Sequence, residues 1–167
     1  VLAYVVLLIS LLIFHALFTY SIFLKFIGGL SPITFFKKIK NVALFAFSTS
    51  SSAATIPVTL KTVNQDLGVN QNVASFVVPV GATINMDGTA IMQGLATVFI
   101  AQMSGIDLTL FQYGQVVLLA VATSIGTAAV PSAGTITLII ILQQFNLPLE
   151  AIGIILAVDR VLDMICL

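Results

Sequence analysis

The stretch Asn85-Met86-Asp87-Gly88-Thr89 places a carboxylate between polar side chains inside a strongly apolar region of the chain. An aspartate at the centre of a membrane helix costs roughly 2.5–3.5 kcal/mol on insertion scales, so intramembrane carboxylates commonly mark ion or substrate paths. Asn85 and Thr89 lie four residues apart with Asp87 between them, so one helical stripe cannot carry all three. The pattern favours a locally unwound segment whose oxygens surround a cation. A buried, hydrogen-bonded Asn and Asp in an ordinary helix stays open as the alternative.

The composition predicts an integral membrane protein. Of the 167 residues, 59% are hydrophobic and 7% are charged, against about 25% charged residues in soluble proteins. The net charge of zero gives no indication of a nucleic acid partner. Cys166 is the single cysteine and His15 the single histidine, so neither a disulfide nor a zinc or haem site is expected. The chain begins at Val1 inside an apolar segment, and we expect it to be part of a longer protein.

The distribution of charges predicts an all-α membrane fold with two re-entrant hairpins. The uncharged first 24 residues can cross an apolar core of about 30 Å at about 1.5 Å per residue. A serine-rich run at 48–52 and Pro57 interrupt the next apolar stretch, and residues 108–149 carry no charge over about twice the length of one crossing. Re-entrant backbone is tolerated where it lines a protein cavity. We therefore predict a transmembrane helix at 1–27, a first hairpin at 33–66, a transmembrane helix at 71–105 broken at 85–89, a second hairpin at 108–147 and the start of the last transmembrane helix at 150–167.

The lysines predict the orientation of these segments. By the positive-inside rule their side of the membrane is cytoplasmic, and all five fall on one side of the predicted order: Lys25, Lys37, Lys38, Lys40 and Lys61. The first hairpin then enters from the cytoplasm and the second from outside. Both contain small-residue turns followed by proline, at 53–57 and 128–131. Opposed, interrupted helices are the pattern of an inverted-repeat secondary transporter with a site near the midplane, and two ordinary kinked helices are the alternative.

The last helix carries titratable groups. Asp159, Asp163 and Cys166 lie at i, i+4 and i+7, on one helical stripe. Asp163 is a candidate partner for a substrate ammonium group. Arg160, three residues before Asp163, could instead neutralise it, and Asp159 with Arg160 could form an interfacial pair.

Four ordered motifs resemble the sodium:dicarboxylate symporter family, which includes glutamate, aspartate and neutral amino-acid transporters. The motif at 85–89 is similar to the family signature. Residues 50–52 with 55–59 resemble the first hairpin of the family, residues 124–127 with 130–134 its second hairpin, and residues 158–164 its eighth helix. The resemblance implies most of a mobile transport domain, a plasma-membrane homotrimer formed through scaffold helices absent from this chain, cotransported sodium and no organic cofactor.

Carried over position by position, the resemblance implies two sets of site residues. The substrate set is Ser51, Ser52, Thr89, Val130, Ala133, Gly134, Asp163 and Cys166. The sodium set is Gly81, Thr83, Asn85, Asp87, Ser124, Ile125 and Thr127. One sodium site would use Thr83 with carbonyls of the second hairpin, and another Asn85 with Asp87. A third would use Gly81 and Asn85 with residues beyond Leu167.

One position departs from the acidic-substrate pattern. Family members that carry acidic substrates have an arginine where this chain has Cys166, and neutral amino-acid members have small or uncharged residues there. A one-residue shift of register would instead place the arginine beyond Leu167. The expected function is therefore sodium-coupled symport of dicarboxylates or acidic amino acids, with a neutral amino-acid transporter as the alternative. An ion channel is the rival class, and an enzyme is not expected because Ser51 lacks a neighbouring histidine.

Overall fold

In the computed structural model, which describes residues 1–166 without the side chains of Asp159 and Arg160, the chain is built from helices. No strand occurs among the described residues, and the predicted all-α class is confirmed. The predicted pairings of Arg160 with Asp159 or Asp163 lie outside the described side chains. The re-entrant nature of the hairpins stays a prediction.

The first membrane segment is one long helix with a wider turn in its middle. It consists of α1 (Leu2–Phe14), a π-helical turn (His15–Thr19) and α2 (Tyr20–Phe26). Together Leu2–Phe26 form a 25-residue helix, the single one in the described part that is both long and apolar enough to cross a membrane. Shorter apolar helices occupy Leu110–Ile125, Ala133–Gln144 and Leu149–Val158.

The first hairpin consists of α3 (Pro32–Thr49) and α4 (Ser52–Gln65), which pack against each other. Pro32 starts α3, where the missing N–H is not needed. Ser50 closes α3 in the left-handed region, with φ of 48°. The Ser51 hydroxyl then caps α4 by accepting the N–H of Ala54 at 3.2 Å. The turn therefore lies at Ser50 and Ser51, and α4 continues through Pro57.

The next two helices, α5 (Gln71–Ile84) and α6 (Asp87–Met103), are separated by the non-helical residues Asn85 and Met86. The interruption is shorter than the predicted 85–89, since Gly88 and Thr89 are helical. Asp87 stands in the first turn of α6, where a carboxylate is stabilised by the exposed N–H groups and by the helix dipole. This preference explains why the helix resumes at the aspartate.

The second hairpin consists of α7 (Leu110–Ile125) and α8 (Ala133–Gln144), joined by a turn at 126–132. Thr109 and Gln112 form a capping box at the start of α7. Ser132 precedes α8 in the left-handed region, with φ of 61°. A short 3₁₀ turn (Leu149–Ala151) leads into α9 (Ile152–Cys166).

Helix α6 is the centre of the packing, because it contacts α1, α7, α8 and α9. The fully buried apolar side chains come from these helices and include Leu8, Ile100, Leu138, Leu142, Ile155 and Leu162. Large apolar side chains point outward on the first helix and on α7, for example Phe14, Leu110 and Leu118. This distribution suits helices that contact lipid or further membrane helices instead of water.

Candidate functional site

The turns of the two hairpins meet. The buried Ser51 hydroxyl donates to the carbonyl oxygen of Ala129 at 2.9 Å, and the Ala53 N–H donates to the same oxygen at 3.3 Å. Ser51 is thus used twice, since it also caps α4. Ser52 is half-buried beside it, and Val130 on the opposite turn is exposed. The start of α4 consequently lies against the turn that precedes α8.

Asp163 of α9 reaches the turn of the second hairpin. Its Oδ2 accepts the backbone N–H of Ser132 at 2.8 Å, and only 8% of the residue is exposed. Burial of a carboxylate is costly unless it is bonded, and the Ser132 N–H supplies such a bond. The structure therefore places Asp163 against the second turn, as one side of a buried polar site.

Two glycine contacts bring further members of the predicted substrate set together. A Cβ at Gly134 would lie 2.8 Å from Cγ2 of Thr89 and 3.0 Å from Cε of Met92, so α8 and α6 touch at this point. A Cβ at Gly88 would collide with the backbone carbonyl of Cys166, so the end of α9 packs on the first turn of α6. Ala133, between Ser132 and Gly134, is buried.

The predicted sodium residue Asp87 is held by two side chains of the first helix. The Tyr20 hydroxyl donates to Oδ2 of Asp87 at 3.0 Å, and Nε2 of His15 lies 3.4 Å from the same oxygen. A carboxylate only accepts hydrogen bonds, so the histidine nitrogen is the donor. Sequence reasoning excluded His15 from a zinc or haem site but did not connect it, or Tyr20, to Asp87.

Fewer contacts connect the other predicted sodium residues to one another. Gly81 and Thr83 lie on α5 near the interruption, and the Thr83 hydroxyl bonds back to carbonyls of its own helix. Ser124 and Thr127 are buried at the end of α7, whereas Ile125 is exposed. Helices α5 and α7 are in contact, but among the described residues no hydrogen bond joins Thr83 to the 124–127 segment. The proposed site at these carbonyls stays a prediction.

Gln93 is an interior polar residue that the sequence analysis missed. It is fully buried on α6, where Nε2 donates to the Gly134 carbonyl at 2.9 Å and to Thr137 Oγ1 at 2.6 Å. Its Oε1 accepts the Thr123 hydroxyl at 2.8 Å. Gln93 therefore connects α6 to both helices of the second hairpin. The available signal was a polar stripe at i, i+4 and i+8 of α6: Thr89, Gln93 and Thr97.

The arrangement as a whole suits the binding of a small zwitterion and cations. A buried carboxylate is a partner for an ammonium group, and the positive ends of the helix dipoles at the starts of α4 and α8 favour an anion. Within the described residues no cluster of three His, Cys, Asp or Glu side chains has the form of a transition-metal site. Oxygen atoms at Asn85, Asp87 and the α7 carbonyls are instead ligands of the kind that hard cations prefer.

Comparison with known proteins gives a consistent assignment. The model of the sodium:dicarboxylate symporter family matches residues 1–166. Excitatory amino acid transporter 5 of Homo sapiens is 42% identical over 152 residues, which are 91% of this chain and 27% of the relative. An excitatory amino acid transporter of Caenorhabditis elegans is 40% identical over 162 residues, 97% of this chain and 32% of the relative. Excitatory amino acid transporter 2 of Homo sapiens is 46% identical over 133 residues, 80% of this chain and 23% of the relative. The chain spans between 23% and 32% of the length of these relatives.

Proposed function

Since the chain belongs to the sodium:dicarboxylate symporter family, a family of membrane transporters and not of enzymes, we propose that it forms part of a sodium-coupled secondary symporter of dicarboxylates or acidic amino acids. The observation that carries the proposal is the buried carboxylate of Asp163, held by the Ser132 N–H at the turn of the second hairpin. A carboxylate in this setting is the natural partner of a substrate ammonium group. The names of the relatives, excitatory amino acid transporters, support the same substrate class.

The substrate lies between the two turns and α6 in this proposal. Its ammonium group pairs with Asp163, which exchanges part of its bond to Ser132 for the charge-assisted contact. Its main carboxylate faces the starts of α4 and α8, at Ser51, Ser52 and the segment from Val130 to Gly134, where the positive ends of the two helix dipoles favour an anion. Thr89 offers a hydroxyl from α6. Cys166 lies at one end of the site, and the side chain of the substrate extends toward it.

Sodium ions bind near the interruption before α6 and at the end of α7 in the same scheme. Asp87 and Asn85 supply side-chain oxygens at the interruption, with Gly81 for a further ion. Thr83 and the carbonyls of Ser124, Ile125 and Thr127 form another site at the end of α7. These carbonyls belong to the second hairpin, so its position determines whether the sodium ligands and the substrate ligands are complete at the same time. Transport of a fully loaded or fully empty domain follows from this linkage.

The two hairpins enter the bilayer from opposite faces in the proposed transporter, the first from the cytoplasm and the second from outside. The protein is a multi-pass protein of the plasma membrane, and a homotrimer through scaffold helices outside this chain. Opening of the second hairpin breaks the Ser51–Ala129 bond between the two turns. The neutral amino-acid alternative rests on Cys166, and the names of the relatives do not favour it.

The decisive experiment uses the full-length protein in proteoliposomes. An inward sodium gradient should drive accumulation of labelled aspartate above its equilibrium level, and collapse of the gradient with a sodium ionophore should release it. A channel would instead pass ions without substrate and would not concentrate aspartate. Competition between labelled serine and labelled aspartate distinguishes the neutral substrate class from the acidic one.

A further inference from the structure

The π-helical turn of the first helix brings His15 and Tyr20 onto one face. In a regular α-helix, side chains five residues apart point about 140° away from each other. The π-helical turn at His15–Thr19 uses i to i+5 hydrogen bonds, which place such residues one above the other. The two rings are accordingly in edge-to-face contact, with centroids 5.1 Å apart. Single π turns are frequently found at functional sites.

Both side chains bind the same oxygen of Asp87. Tyr20 donates to Oδ2 at 3.0 Å and His15 lies 3.4 Å from it, whereas no hydrogen bond among the described residues reaches Oδ1. The carboxylate is thereby fixed in rotation, with one oxygen bonded to protein and the other available.

We propose that His15 and Tyr20 are positioning residues for a transported sodium ion, because they hold Oδ2 of Asp87 and leave Oδ1 for the cation. The inference rests on the proposed function, which assigns Asp87 to sodium. Partners that bind the second atom of a metal-ligating side chain set its orientation and its basicity. The first helix therefore takes part in ion binding without contacting the ion, and the π turn is the structural feature that allows it.

The test compares two tyrosine variants of the full-length transporter. Tyr20→Phe removes the hydroxyl that binds Asp87, and Tyr113→Phe on α7 is the matched control, since Tyr20 and Tyr113 are 36% and 37% exposed. The measurements are the sodium concentration that half-saturates thermal stabilisation without substrate, and the sodium dependence of uptake. Tyr20→Phe should raise the half-saturating sodium concentration about ten-fold in both measurements. Tyr113→Phe should match the wild type in both measurements.

The histidine gives a second, independent variant. His15→Leu should weaken sodium binding, and His15→Asn, which retains a donor, should restore part of it. In an Asp87→Asn background Tyr20→Phe should have no additional effect, because its partner charge is gone. The positioning role alone would be overturned if Tyr20→Phe and His15→Leu both kept the wild-type sodium affinity. In that case Asp87→Asn would still bind sodium more weakly than the wild type. Unchanged sodium affinity in Asp87→Asn would overturn both this inference and the proposed sodium site at Asp87.

Discussion

Gln93 of α6 donates to the backbone carbonyl of Gly134 at the start of α8, at 2.9 Å, while its other amide atom accepts the Thr123 hydroxyl of α7. One buried side chain thus bonds both helices of the second hairpin to the central helix. Replacement by leucine keeps the volume similar but leaves a buried carbonyl and hydroxyl with fewer partners, at a cost of about 1–3 kcal/mol. We expect Gln93→Leu to lower the melting temperature of the full-length protein and its rate of substrate uptake.

The matched control for this change is Gln102→Leu. Gln102 lies on the same helix and is exposed, so its substitution should leave the melting temperature close to that of the wild type. Equal melting temperatures for the two variants would show that the Gln93 bonds do not stabilise the attachment of the second hairpin.

The sequence predicted the helical fold and the polar interruption between α5 and α6 because these depend on local patterns. Uncharged lengths, serine and glycine turns and an intramembrane aspartate are all readable along the chain. The contacts among the site residues cannot be read from the sequence, because they depend on how helices distant in sequence pack together. The residues near His15 in sequence do not indicate that a π turn orients its side chain toward Asp87, 72 residues away. The break was predicted too long because the preference of Asp87 for a helix start was not considered.

Asp163→Asn should abolish substrate uptake. The variant removes the charge that pairs with the ammonium group, and losing one partner of a buried charge pair costs about 2–5 kcal/mol of binding energy. Asp107→Asn is the control, because Asp107 is exposed between α6 and α7. Substrate affinity is measured by displacement of labelled aspartate in detergent. Wild-type affinity in Asp163→Asn would remove Asp163 from the substrate site.

Gly134→Ala should destabilise the contact between α8 and α6. The new Cβ would lie 2.8 Å from the Cγ2 methyl of Thr89, and a β-branched side chain in a helix has little rotational freedom to move away. Thr89→Ser removes that methyl group, so the double variant should recover part of the lost melting temperature. Gly114→Ala is the control, since a Cβ there meets no atom within 4 Å. It should be neutral or stabilising by up to about 1 kcal/mol through helix propensity. If Gly134→Ala and Gly114→Ala melt alike, the close approach of α8 and α6 is wrong.

Cys166→Arg should shift substrate preference toward aspartate. Cys166 borders a cavity of about 600 Å³ that is also lined by Gly88 and by aromatic side chains of the first helix and α3, so a longer side chain has space to extend. A guanidinium group there would give the side-chain carboxylate of an acidic substrate a bidentate, charge-assisted partner. Hydrogen bonds to charged groups contribute about 1.5–3 kcal/mol, so the ratio of aspartate to serine affinity should rise by roughly ten-fold or more. Cys166→Ser, with a similar size and no charge, should keep the wild-type ratio. An unchanged ratio in Cys166→Arg, with folded and sodium-responsive protein, would show that Cys166 does not face the substrate side chain.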